Sequence, residues 1–357
     1  MTRSITVATS VHPPDDPRIR VKSIATLVEA GWGVTYVCQA PGPADTTGFE
    51  VMLLDGPRAR RTLEASRAIF ALEADVTVVH DPELVPAAIA LGSMRGRNRV
   101  VFDLHEDLPR QLMSRTASAP VLRRPSAVAS MWMLKAAERA LTVTLAEPNY
   151  SWMFADEHEV FENLPIAEGL PLRREDATGV VYVGDITADR GVPLLVEAMR
   201  QIPGVPLTLI GRCSPLLAAQ LEASAEAGGV PMTMTGFLPY PEAWAVAASH
   251  QIGVSPLLDR PNYRASLPTK IDEYRSVGLI AITSDLPGSL PAIEGSAAAA
   301  SFTAGDADAI AAELRSALDD PRRLAAATTE AADVRRRRAW KGERFADFYE
   351  RLVTAFP

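Results

Sequence analysis

The chain has 357 residues, 47% of them apolar and 22% charged, which suits two globular domains with separate cores and excludes a disordered protein. A formal charge of -8 argues against broad nucleic-acid binding. The only cysteines, Cys38 and Cys213, lie in different halves without metal-type spacing, so neither a disulfide framework nor a zinc site is expected, and no apolar run approaches the ~18 residues of a membrane span.

The amino-terminal MTRSITVATSV has too short an apolar run for a signal peptide and reads as a first buried strand, with the cytoplasm as the expected compartment. Further short runs rich in Val and Ile follow: GVTYVC (33–38), DVTVVH (75–80), RVVFDLH (99–105) and ALTVTLA (140–146). The second half repeats the rhythm with VVYVG (180–184), LTLIG (207–211), PMTMTG (231–236), QIGVSPL (251–257) and LIAITSD (279–285). Apolar runs alternating with helix-period segments predict two α/β domains, each with a parallel sheet covered on both faces. Prolines, charges and lost periodicity at 162–179 predict a linker, dividing the chain into 1–165 and 166–339. The closing segment, about 340–357, is an amphipathic helix whose partner pattern alone does not identify.

In open parallel sheets ligands bind beyond the carboxyl ends of the strands. In the first half those positions carry His12, His80 to Glu83 (HDPE), and His105 to Asp107 (HED). Each histidine taken singly reads as a hydrogen-bonded strand end; three together suggest a site, with Asp103, Glu106 and Asp107 orienting His105. A metal held by His105, Glu106 and Asp107 is disfavoured, because neighbouring side chains on an extended strand point to opposite faces. Arg18, Arg20 and Lys22 open the first helix, either to meet an acidic acceptor or to balance Asp15 and Asp16.

In the second half, VVYVGDITADRGVPLLVEAM runs strand, glycine turn, helix, with Gly184 and Gly191 permitting close approach and Arg190 at the helix mouth. The pattern is neither GxGxxG nor a P-loop. SLPTKIDEY (266–274) opens another helix, with Pro268 suited to the first helical position and Ser266 to a cap. Lys270 in that first turn faces a partial positive charge, so it calls for a negative neighbour. Glu273 is one candidate, as a surface ion pair; an anionic ligand is the other, and Arg190 from a second strand exit points to a diphosphate.

Taken together, DDPRI with GWGV, DVTVVHDPELVP, RVVFDLHED, ENLP, VVYVGDITADRGVPLLVEAM, LTLIG and above all SLPTKIDEYRSVGL resemble the GT-B glycosyltransferases of retaining family 4, the group 1 type. The resemblance runs almost end to end. It implies two Rossmann-like domains facing across a cleft, and a nucleotide-diphosphate sugar bound by the carboxy-terminal domain. Glu273 would bind the ribose diol, and Lys270 and Arg190 the diphosphate. Gly184, Asp185, Arg212, Asn262, Ser266 and Leu267 would complete the donor side. His105 would act near the reacting carbon, and His12, Asp16, Arg18, His80, Asp81 and Glu106 would form the acceptor side. No metal or cofactor is implied, the nucleotide sugar being a co-substrate.

Two positions depart from the family pattern: Asp185 stands where an arginine is common, and Ala265 stands where a glutamate is common eight residues before Glu273. Asn262 or an amide near Ser266 would then replace the usual sugar contact. The acceptor would be a small molecule, a glycan or a lipid-linked glycan. Residues 110–141, with Arg110, Arg115, Arg123, Arg124, Lys135, Arg139 and Trp132, form either a peripheral membrane face or a core-packed helix with a solvated side. Other classes remain in view: a GT-B epimerase of sugar nucleotides, and a two-lobed binding protein without chemistry.

Overall fold

The first sheet consists of β1 (Ser4–Ala8), β2 (Gly33–Gln39), β3 (Phe49–Leu54), β4 (Val76–Val79), β5 (Val100–Leu104), β6 (Thr142–Leu145) and β7 (Glu159–Val160). All neighbours pair in parallel, in the order β3-β2-β1-β4-β5-β6-β7. The computed structural model describes residues 3–114 and 120–354. Strands β4 and β5 are buried along their whole length, as their continuous apolar runs require. Helices α1 (Ala25–Glu29), α2 (Arg58–Ala71), α3 (Val85–Arg95), α4 (Leu108–Ser114) and α5 (Pro120–Ala140) cover this sheet, and α1 continues a π-wound stretch, Pro17–Ile24.

The second sheet consists of β8 (Val180–Val183), β9 (Leu207–Ile210), β10 (Met232–Gly236), β11 (Ile252–Ser255), β12 (Ile280–Ser284) and β13 (Ala300–Phe302). It too is wholly parallel, in the order β10-β9-β8-β11-β12-β13. Its helices are α6 (Val192–Met199), α7 (Pro215–Ala227), α8 (Tyr240–Ala247), α9 (Thr269–Val277), α10 (Ala307–Leu318) and α11 (Pro321–Arg337). Cores lie on both faces of this sheet, one around Val192, Leu195, Val196 and Ile310, the other around Trp244, Ile271 and Tyr274.

The chain divides into residues 1–163 with 341–357, and residues 164–340. Both units are Rossmann-like, and in each the order reverses beside the first strand, at β1/β4 and at β8/β11. The last helix, α12 (Gly342–Thr354), belongs to the first unit: Phe161 meets Phe345 and Phe348 edge-on at 5.1 and 5.3 Å between ring centres. Strands β3, β7 and β13 carry no signal strong enough to predict. Two have only two or three residues, and β3 is an edge strand whose side chains, Leu54 excepted, are exposed or half-exposed. Among the described residues no helix is long and apolar enough to cross a membrane.

Candidate functional site

The candidate donor site is built at the β8/β11 reversal. Only Ile252 and Gly253 of β11 pair with β8; beyond them the strands part, and the Tyr274 hydroxyl enters the gap. That hydroxyl accepts from Val183 N at 2.8 Å and donates to Val254 O at 3.3 Å, replacing ladder bonds with a side chain of α9. The tyrosine ring lies over Gly253, where a β-carbon would come within 2.3 Å of it. Helix α9 is thereby pinned with its amino terminus at the sheet's carboxyl edge.

Gly184 leaves β8 with φ +134°, and a β-carbon there would stand 3.1 Å from Lys270 Nζ and 3.6 Å from Arg190 Nη1. Two cations from separate loops therefore border one small volume. Gly191, with φ +75°, opens α6 immediately after Arg190, and its approach to Pro256 O leaves no room for a side chain. Lys270 Nζ is buried, has no hydrogen-bond partner and rests 4.1 Å from the centre of the Tyr182 ring. Burial, then the Arg190 charge, hold the Lys270 ammonium well below the usual lysine range, against the weaker pull of Glu273 and Asp185. Tyr182 donates to Asp185 O at 2.8 Å, and burial pushes its hydroxyl up to about 12 despite Arg190.

Pro268 proves to be the cap residue of α9, not its first helical residue, and makes no side-chain cap bond itself, with Ser266 two residues before it. The proline ring favours the extended backbone a cap requires, and the helix starts one residue later. Glu273 is buried one turn on, facing the Tyr240 hydroxyl, which burial and that carboxylate hold well above the usual phenol range. Arg212, at the β9 exit, lays its guanidinium over the Phe237 ring at 4.0 Å. The buried Asn262 Oδ1 has no hydrogen-bond partner, Ser266 N donates to Tyr263 O at 3.2 Å, and Leu267 packs on the core around Trp244. Asp185 is exposed, as is Asp189, whose carboxylate meets Arg260 at 3.4 Å.

In the first unit three histidines meet at the exits of β1, β4 and β5. The His12 and His105 ring centres are 4.5 Å apart, and those of His80 and His105 are 5.6 Å apart. Asp81 is fully buried and accepts from Thr9 Oγ1 at 2.8 Å, Val11 N at 3.0 Å and Ser10 N. It also lies 2.5 Å from His12 Nδ1. Burial works against charge on His12, but Asp81, with Asp16 and Glu106 further off, outweighs it and carries the imidazole up to about 9. His105 goes the other way, held well below the usual histidine range by burial and by the charges of His12 and His80.

Several expected neighbours differ. Arg18 faces neither an acceptor nor Asp15 and Asp16: it is 3% exposed and grips Asp103 through Nε at 3.0 Å and Nη2 at 2.8 Å, while Nη1 donates to Phe161 O. Lys22 is buried on Asn163, and only Arg20 pairs with Asp15, at 3.1 Å. Asp16 caps the first helix by accepting from Arg18 N and Ile19 N. Nor do Glu106 and Asp107 orient His105: Glu106 accepts from Gln111, and Asp107 from Arg110 and Trp152. The orienting groups are the Asp103 carbonyl and His12. Both acids lie past the end of β5, where the chain turns into α4, and Gln111 and Arg110 of that helix take their carboxylates.

Among the described residues one trio, His80, Asp103 and His105, brings a donor atom each within 4.8 Å of one another. Asp103 already accepts two guanidinium bonds and the Thr144 hydroxyl, and Arg18 opposes a second cation there, so we assign no metal to it. The tyrosines 182, 240 and 274 were not singled out from sequence; their signal is a hydroxyl inside an otherwise apolar run, which needs a partner once buried.

Residues 177–320 match the sequence profile of the family described as "Glycosyl transferases group 1". A sucrose-phosphate synthase from Thermosynechococcus elongatus superposes with a TM-score of 0.80 at 16% identity, over 99% of this chain and 100% of that one. HepE of Anabaena, solved in complex with UDP-glucose, gives 0.73 at 13% identity over 100% of both chains. WaaG, a glycosyltransferase involved in lipopolysaccharide biosynthesis, gives 0.74 at 14% identity over 97% and 99%. These likenesses establish the fold as GT-B. No curated protein matches the sequence.

Proposed function

We propose that this chain, whose residues 177–320 match the group 1 glycosyltransferase profile and whose fold is GT-B, moves a sugar from a nucleotide-diphosphate donor to an acceptor hydroxyl, with retention at the anomeric carbon and no metal at the diphosphate. The observation that carries this reading is the pairing of Lys270 and Arg190 over Gly184. A buried ammonium without a hydrogen-bond partner, next to a guanidinium, is costly alone and becomes favourable when a dianion enters. The diphosphate gains charge as the sugar leaves, so the same two groups bind the donor and stabilise its departure.

Glu273, one turn further along α9, takes the ribose hydroxyls, with Tyr240 orienting its carboxylate. Arg212 and Phe237 offer a charged and apolar flank at the β9 exit, and Asn262 Oδ1 supplies an acceptor to a sugar hydroxyl. UDP is the first nucleotide to try, since HepE was solved with UDP and with UDP-glucose. The acceptor side falls to His105 and its neighbours in the first unit.

The test is a panel of UDP- and GDP-sugars scored for nucleotide release with the wild-type chain and Lys270→Ala. Release by the wild type that Lys270→Ala loses, with the fold intact, supports the assignment; equal release by both removes it.

A further inference from the structure

The hydrogen bonds around His12 and His105 leave one proton arrangement when His105 is neutral. Asp103 O is a carbonyl and only accepts, so His105 Nδ1, 3.2 Å away, carries a proton. In a neutral ring His105 Nε2 is then an acceptor, and His12 Nε2, 2.7 Å from it, must be the donor. His12 Nδ1 faces Asp81 Oδ1 at 2.5 Å, and a carboxylate accepts. His12 therefore carries protons on both nitrogens, and the chain reads Asp81 anion, His12 cation, His105 neutral.

We propose that His12 and Asp81 are positioning residues for His105: Asp81 keeps the second proton on His12, and His12 donates through Nε2 so that His105 is fixed as the neutral tautomer protonated at Nδ1. The inference rests on the transferase reading, in which His105 serves the acceptor side. Protonating His105 would place two imidazolium rings in contact, so the cation on His12 guards the neutral state of its neighbour.

The surroundings agree. Asp81 holds its charge through the hydroxyl of Thr9 and the amides of Ser10 and Val11, and Asp16 and Glu106 add negative charge towards His12. His105 faces His12, His80 and Arg18 as positive or protonatable groups, and Asp103 as an acid. The His12 side chain is 19% exposed and His105 is half-buried, so both rings remain within reach of solvent.

Imidazole nitrogen NMR of the whole chain, with each histidine assigned by substitution, reads the tautomers directly and without turnover. The expected pattern from pH 6 to 8 is His12 protonated twice and His105 protonated at Nδ1 only. In His12→Phe the His105 midpoint rises by at least about one pH unit, and in Asp81→Asn the His12 midpoint falls by a similar amount. A wild-type His105 protonated at Nε2, or a midpoint unmoved by both substitutions, overturns the proposal. Should His12→Phe not fold, the wild-type spectrum and Asp81→Asn decide it. The expected tautomers in a chain that releases no nucleotide from any donor would support the proton assignment and remove the transferase reading.

Discussion

Lys270 and Arg190, eighty residues apart in the chain, border the same small volume, with Nζ and Nη1 lying 3.1 and 3.6 Å from the point where a β-carbon on Gly184 would stand. The pairing is unfavourable without a ligand. Lys270→Met removes a desolvated charge, so its thermal midpoint should equal or exceed the wild type's while turnover falls about 10²- to 10³-fold. Calorimetry beside a nucleotide-release assay checks both, and a loss of stability comparable to a core cavity would count against the site.

The same charge makes donor binding depend on pH. Burial and Arg190 lower the Lys270 ammonium, so its folded pKa lies below its unfolded one. Its cost to stability is therefore full below the folded pKa and disappears as pH rises to the unfolded value. A bound diphosphate raises the pKa again, so UDP should take up protons in mildly alkaline buffer and bind more weakly as pH rises. Titration calorimetry in buffers of different ionisation enthalpy measures that uptake, and a binding enthalpy independent of buffer would contradict it.

Gly184→Ala tests the volume itself. The added methyl would stand 3.1 Å from Lys270 Nζ, on a backbone with φ +134° that side chains rarely adopt. Affinity for UDP should fall at least about tenfold, while the first unit's unfolding transition stays unchanged. Equilibrium dialysis with UDP is sufficient.

Glu273→Gln should cost about 1–2 kcal/mol in UDP affinity and reduce the preference for UDP over 2′-deoxy-UDP, because an amide accepts one hydrogen bond fewer from the diol. Unchanged discrimination between the two nucleotides would place the ribose elsewhere.

In the first unit, Arg18→Met should destabilise by about 3–5 kcal/mol, leaving Asp103 buried without its guanidinium. Burial alone would raise the Asp103 carboxyl, but Arg18 and His80 overrule it and hold it well below the usual carboxylate range. Its contribution is present above the unfolded pKa near about 4 and lost as pH falls through the lower folded value. Acid unfolding of the wild type should therefore begin at lower pH than that of Arg18→Met.

Helix α5 exposes Val121, Leu122, Val128 and Trp132, the last 70% exposed, beside the basic Arg124, Lys135 and Arg139. Arg115 of the same segment lies outside the described residues. Apolar side chains flanked by cations favour an anionic bilayer over water. Trp132 emission should shift to the blue with vesicles containing phosphatidylglycerol and not with neutral ones. No shift would leave α5 as an ordinary solvated helix.

The fold class was legible because a buried parallel strand needs an apolar run, and nine of the thirteen strands combine such a run with burial, β10 being half-exposed. Edge strands such as β3 and β13 escaped because half their surface faces solvent or their length is too short to imprint a pattern. Lys270 declared itself in the sequence by standing at the wrong end of a helix dipole. Arg18 did not: nothing local distinguishes it from Arg20, yet one is buried on Asp103 and the other pairs with Asp15 at the helix start. The pairing of Lys270 with Arg190, the Tyr274 hydroxyl between β8 and β11, and the proton order along Asp81, His12 and His105 all join residues remote in sequence. Local pattern sets which residues leave each strand; only strand order and packing decide which of them meet, because contact energies depend on distances that periodicity does not encode.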